Sequence, residues 1–262
     1  MPPVVTKRSV PGNPPCMFDL TITGAIARLR LNRPETRNAV PLSGWGELAT
    51  HAAAAGSSAR ILLVGAKAEG AFCAGADIAD FPRFQEDAAA RTAFREAIRH
   101  GLDTLRGLAI PTVAMVDGAC YGAGVALAMA CDIRIAGPAA RFAITPAKLG
   151  IGYPQEDVHR LVSLVGPGHA ARLLFGAGAI DGEEAVRIGL AELMCEDVEA
   201  AAGAFADTVA ANDPESIAML KRGIALAESA ILRDEVQDRA FDALLGSEAL
   251  VQRLAAYRAR PK

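Results

Sequence analysis

Residues Pro111 to Pro154 read PTVAMVDGACYGAGVALAMACDIRIAGPAARFAITPAKLGIGYP. A short apolar strand, Thr112 to Val116, breaks at Asp117-Gly118, and the chain then passes through Gly122-Ala123-Gly124 into a helix of small residues, Val125–Ala130. Strand, glycine turn and helix in that order aim unpaired backbone N–H groups at one point. A second apolar strand is predicted from Cys131 to Ile135, followed by a loop that carries Thr145 and Tyr153. Nowhere else does so much glycine stand beside so much apolar chain. The stretch predicts an active site whose main tool is the backbone.

Toward the N-terminus, Phe18–Thr23 and Ala25–Leu31 alternate apolar and polar around Thr23-Gly24, which predicts a hairpin. A helix is expected over Leu42 to Ala55, weakened by Gly44 and Gly46, and Ile61–Gly65 reads as a fully apolar strand between helices, as in a parallel sheet. The loop Gly70 to Asp77, GAFCAGAD, leaves that strand much as the central glycine turn leaves its own. A helix follows from Asp87 to Leu108, with Phe94, Ile98, Leu102 and Leu105 on one face. This βα alternation predicts α/β architecture.

Toward the C-terminus, helices are predicted over Asp157–Val165, Gly168–Phe175 and Gly182–Ile188, broken by Gly166-Pro167 and by Gly176–Ile180. A strand is expected at Ala191 to Cys195 and then four helices, about 197–211, 214–228, 231–245 and 247–258, with start signals at Asp213-Pro214 and Ser247. The organisation expected is an N-terminal disordered arm over 1–16, an α/β core over 17–196 and a helical region over 197–262.

A chain of 262 residues with 52% hydrophobic content can bury a large core, built from Ala, Val, Leu and Ile because aromatics are 5%. A net charge of −3 argues against a nucleic-acid partner and against a membrane surface. Five scattered cysteines, without a C-x-x-C pair, fit reduced thiols in a cytoplasm. His51, His100, His159 and His169 share no ligand spacing, so no metal is assigned.

The chemistry centres on two small-residue loops, each leaving a strand. Their amides, Ala76 N–H and Ala123 N–H, can converge on one carbonyl oxygen and stabilise negative charge developing there. The competing explanation is that these glycines only permit tight turns and close packing.

The residues that carry the two loops also carry a resemblance. Leu31-Asn32-Arg33-Pro34 with Asn38-Ala39, Gly70 to Ile78, Pro111-Thr112-Val113, Asp117-Gly118, Gly122-Ala123-Gly124, Leu127 to Ile133, Leu149-Gly150 and Gly189-Leu190 together resemble the crotonase superfamily, the enoyl-CoA hydratase/isomerase family. The resemblance implies a spiral of ββα units, a helical C-terminal region used in trimer contacts, and an acyl-CoA thioester as ligand. It implies a homotrimer or dimer of trimers and no cofactor beyond the coenzyme A of the substrate. It also implies Ala76 and Ala123 as the oxyanion-hole amides. Coenzyme A is expected near Arg37, Gly75, Asp77, Ile78, Tyr121 and Gly122, with a weaker contribution from the basic tail Arg258, Arg260 and Lys262.

Hydratases of the family use two glutamates, whose positions here hold Ala126 and Pro146. Neither residue can move a proton, so hydration by the family mechanism is not expected. The loop from Phe142 to Tyr153 is similar to that of methylmalonyl-CoA decarboxylase, with Thr145 and Tyr153 as its polar groups. A neutral tyrosine can orient a carboxylate by hydrogen bonding. Glu156 and Asp157 open the next helix, where carboxylates favour the N-terminal dipole. Either could instead be the single base of a double-bond isomerase. Three readings stay open: an isomerase or relocated hydratase, a decarboxylase, and a non-catalytic acyl-CoA binder.

Overall fold

The computed structural model describes residues 16–259. The expected arm up to residue 15 and the tail residues Arg260 and Lys262 lie outside the described residues. Antiparallel β1 (Phe18–Thr23) and β2 (Ile26–Leu31) form the expected hairpin, in register from Phe18↔Leu31 to Thr23↔Ile26. Helix α1 (Leu42–Ser58) continues through Gly44 and Gly46 because its inner face buries Trp45, Leu48, Ala52 and Ala55. Tertiary burial there overrides the weak helix preference of glycine.

Three ββα turns follow. The first is β3 (Ile61–Ala66) and β4 (Ala71–Cys73), then a short α2 (Phe81–Glu86) and the long α3 (Ala88–Arg106). The second is β5 (Thr112–Val116), β6 (Ala119–Tyr121) and α4 (Ala123–Ala130). The third is β7 (Ile133–Ala136), β8 (Arg141–Ala143) and α5 (Gln155–Gly176). Each turn gives one strand to each of two sheets. With β9 (Ile180–Asp181) and β10 (Leu193–Met194) added around α6 (Gly182–Ile188), the sheet orders are β1-β2-β3-β5-β7-β10 and β4-β6-β8-β9. The mixed α/β spiral is the fold expected above.

Successive side chains of a strand face opposite ways. Leu62 and Val64 of β3 therefore enter the main core with Trp45, Phe72, Leu102 and Phe142. Ile61 and Leu63 face a second core with Val113, Met115 and Ile135. Helix α7 (Val198–Ala211) closes that second core with Ala202, Ala206 and Val209. Its partners α8 (Pro214–Glu228), α9 (Glu235–Leu245) and α10 (Glu248–Arg258) carry no buried residue, and Ile224, Phe241, Leu245 and Val251 stand more than half exposed.

The break expected at Gly166-Pro167 is present: Gly166, with φ of 74° and ψ of 164°, is not helical and divides α5 into two helical pieces. Several boundaries differ from expectation. The last helix pair is shorter than predicted, with α9 starting at Glu235 because the Asp234 carboxylate caps it at Gln237 N–H, 2.8 Å away, and pairs with Arg222 at 2.7 Å. The strand expected from Cys131 begins at Ile133, since Asp132 instead ties its N–H and carboxylate to Thr112. The strand expected over Ala191 to Cys195 is only Leu193–Met194. The second sheet was not foreseen, because strands of three residues carry too little alternation to read.

Candidate active site

The glycine-rich loops after β4 and β6 are built against each other. Gly75 has φ of 105°, and a Cβ on it would lie 2.8 Å from the Tyr121 carbonyl oxygen and 3.3 Å from the Ala123 nitrogen. A Cβ on Gly124 would lie 3.0 Å from the Cys73 carbonyl carbon. Only glycine at both positions lets the loops touch. The glycines thus do permit close packing, and the close packing brings Ala76 and Ala123 to neighbouring places.

Both alanines keep their N–H groups out of the bonds that hold the loops. Val40 and Ala76 form a parallel bridge in which Val40 N–H donates to Gly75 O at 2.8 Å and Asp77 N–H donates to Val40 O at 2.9 Å. Along an extended chain successive amides alternate, so Ala76 N–H points away from Val40. Ala123 is the first residue of α4, where an amide lies ahead of the intrahelical ladder. Both residues are half-buried.

The loop from Thr145 to Pro154 and the first turn of α5 follow, with Thr145 and Tyr153 beside Gly122. Thr145 Oγ1 sits 3.6 Å from where a Cβ on Gly122 would be and caps nothing in the turn that follows it. Tyr153 is packed against the main core, and its hydroxyl donates to Gly122 O at 3.1 Å. Burial first, then the nearby Asp157 carboxylate, push its phenol well above the usual value of 10. It is a neutral donor engaged by the backbone carbonyl of Gly122. Ala126 is buried in the core and Pro146 begins a short 3-10 turn, so neither position offers a polar side chain.

Glu156 and Asp157 part company. Glu156 turns outward with its side chain 62% exposed, 3.8 Å from Arg99, whereas Asp157 is buried and paired to Arg99 at 3.2 Å. Among the described residues Asp157 is the one carboxylate in the buried set. Burial raises its pKa above the usual 3.8, and Arg99 holds the rise back. Arg160, also buried, is lowered to about 10 by burial and by Arg106. Arg99 and Arg160 were not singled out in the sequence. The Arg99–Asp157 pair joins α3 to α5 across 58 residues, and no local pattern encodes it.

The remaining candidates lie around the first loop. Arg37 is exposed, in a left-handed conformation, and its carbonyl accepts from Ala74 N–H at 2.9 Å. Asp77 receives Arg33 at 3.1 Å and caps Ala79 N–H at 3.0 Å, so its carboxylate serves the scaffold. Asp80 likewise accepts from Leu42 N–H at 2.9 Å. Ile78 is 69% exposed beside the loop, and Tyr121 is half-buried. Phe81 and Phe84 stack with Phe94 of α3, at 6.2 and 4.6 Å between ring centroids. Arg258 is exposed at the end of α10, and no group of three or more His, Cys, Asp or Glu side chains suited to a metal occurs among the described residues.

The model of the family described as Enoyl-CoA hydratase/isomerase matches residues 21–249. This chain belongs to that family. The Enoyl-CoA isomerase/hydratase MYCGRDRAFT_76805 of Zymoseptoria tritici is 34% identical over 66% of this chain, a match that spans 58% of that protein's length. The Mycobacterium tuberculosis protein named "Probable enoyl-CoA hydratase echA14" is 35% identical over 90% of this chain and 88% of its own. A solved enoyl-CoA hydratase/isomerase family protein from Hyphomonas neptunium superposes with a TM-score of 0.87 at 33% identity, covering 92% of this chain and 94% of that one.

Proposed function

We propose that this family member binds an acyl-CoA thioester with its carbonyl oxygen between Ala76 N–H and Ala123 N–H, and moves a carbon–carbon double bond through the enolate so stabilised. The observation that carries the reading is the closeness of Gly75 to Ala123 N, 3.3 Å from the Gly75 Cβ position, on two loops whose donor amides are otherwise unengaged. Two donors placed where charge develops lower the barrier by stabilising the transition state more than the substrate.

Asp157 is the proton carrier in this reading. It takes the α-carbon proton of a 3-enoyl thioester, the electron pair moves toward the carbonyl oxygen, and return of the proton at the γ-carbon leaves the 2-enoyl product. Burial raises the pKa of Asp157 above the usual 3.8, the direction that makes a carboxylate a stronger base, and perturbed buried carboxylates concentrate at functional sites. Coenzyme A lies along Arg37, Gly75 to Ile78, Tyr121 and Gly122. The exposed apolar faces of α8 to α10 support a homotrimer or a dimer of trimers, and a cytoplasmic location is part of the same proposal.

Decarboxylation is the second reading. Thr145 Oγ1 beside Gly122 favours it, because carbon dioxide loss forms the same enolate without a base. Incubation with crotonyl-CoA, a 3-enoyl-CoA and methylmalonyl-CoA, followed by mass, separates the readings. Migration of the 3-enoyl bond, abolished in Asp157→Asn, is the expected result. Loss of carbon dioxide supports the second reading instead. No conversion, with thermal protection by the esters, means a fold kept for binding.

A further inference from the structure

Each candidate donor amide belongs to a peptide unit held from its other end. The Gly75–Ala76 peptide is held by Val40 N–H, 2.8 Å from Gly75 O. The Gly122–Ala123 peptide is held at Gly122 O by Val125 N–H at 3.0 Å, by Ala126 N–H at 3.4 Å and by the Tyr153 hydroxyl at 3.1 Å. Of these four donors, three are backbone and one is a side chain. We infer that Tyr153 is a positioning residue for the oxyanion site, orienting and polarising the Gly122–Ala123 peptide through its carbonyl so that Ala123 N–H is a stronger donor.

The physical basis is the conjugation of the amide. A hydrogen bond at the carbonyl oxygen draws electron density from nitrogen and strengthens the N–H at the far end, and hydrogen bonds in a chain reinforce one another. The bond also fixes the plane of the peptide, so less reorganisation is needed as charge develops on the substrate oxygen. The role requires a hydroxyl that stays protonated. Burial of the ring and Asp157 in the first turn of α5 ensure that, since both oppose the phenolate, and the nearby Arg99 does not reverse it.

This inference rests on the oxyanion reading of Ala76 and Ala123. The test is titration of the protein with acetoacetyl-CoA, whose enolate has its own ultraviolet band, for wild type and Tyr153→Phe at one pH. Thermal melting with and without coenzyme A runs beside it as the measure of folding and ligand binding. The expected result is a fall of about two- to tenfold in the enolate-to-keto ratio of the bound ligand, the factor that one hydrogen bond of ordinary net strength represents. Melting and coenzyme A protection stay near wild type. An unchanged enolate ratio in a folded variant overturns the role given to Tyr153 and leaves the oxyanion site standing. Absence of any enolate band on the wild-type protein overturns the oxyanion reading and this inference together. If Tyr153→Phe lowers melting, a core variant of matched stability that keeps the hydroxyl, such as Leu161→Val, supplies the comparison: loss of enolate in Tyr153→Phe alone supports the role, and equal loss in both overturns it.

Discussion

Gly124 of α4 packs against the carbonyl of Cys73 so closely that its missing Cβ would overlap the Cys73 oxygen. This contact joins the two small-residue loops and sets their separation. Gly124→Ala pushes them apart, and overpacking of this kind costs about 1–3 kcal/mol. An unfolding free energy, read from urea titration, lowered by that amount is expected, with thioester turnover reduced further than stability accounts for.

Gly75→Ala acts on the site more directly. Its φ of 105° disfavours any side chain, and the new methyl would press on the Tyr121 carbonyl oxygen and the Ala123 nitrogen. Loss of turnover on the order of 10²-fold is expected, the scale of one lost oxyanion donor. Steady-state kinetics on a folded variant, checked by circular dichroism, measure it.

Arg99→Met strands Asp157 inside the protein. Breaking a buried pair by removing one partner costs about 3 kcal/mol or more. The pH dependence has a definite sign. Burial raises the folded pKa of Asp157 above 3.8 while Arg99 holds it down, so removing Arg99 raises it further. A folded carboxyl pKa above the unfolded one means that this group contributes most at low pH and that stability falls as pH rises from the unfolded to the folded pKa. The deficit of Arg99→Met relative to wild type is therefore expected to be small near pH 4 and to grow toward neutrality, as chemical denaturation at several pH values reads out.

The thiols divide by depth. Burial pushes Cys73 and Cys131 up to about 12 and Cys120 well above its usual value, while Cys16 is exposed. Since the thiolate is the reactive form, alkylation of the native protein is expected to modify Cys16 and spare those three. Peptide mass mapping before and after denaturation checks it.

The exposed apolar faces of α8 to α10 are expected to meet other copies of the chain. Ile224→Asp and Phe241→Asp, at positions 66% and 53% exposed in the single chain, should shift sedimentation toward a smaller species without lowering helix content. A monomeric wild-type protein would refute the assembly.

Much of the fold was legible because it repeats. Apolar runs such as Ile61–Gly65 and Thr112–Val116 announce buried parallel strands by composition, and caps such as Asp213 and Ser247 mark helix starts by local chemistry. The late start of α9 was not legible, because it is decided by Asp234, which caps the helix and meets Arg222 across the fold.

The same division holds at the site. Sequence alone determined that Ala76 and Ala123 follow strands on small-residue loops, that Ala126 and Pro146 bring no side chain able to carry a proton, and that Thr145, Tyr153, Glu156 and Asp157 are the polar groups of the loop and helix start that follow. Tertiary structure decided among them. It turned Glu156 to solvent, buried Asp157 against Arg99 and fastened the Tyr153 hydroxyl to Gly122 O. Spacing along a chain specifies which groups can reach a place. Burial and the partner waiting across the fold decide their direction and protonation, and Arg99 lies 58 residues from Asp157.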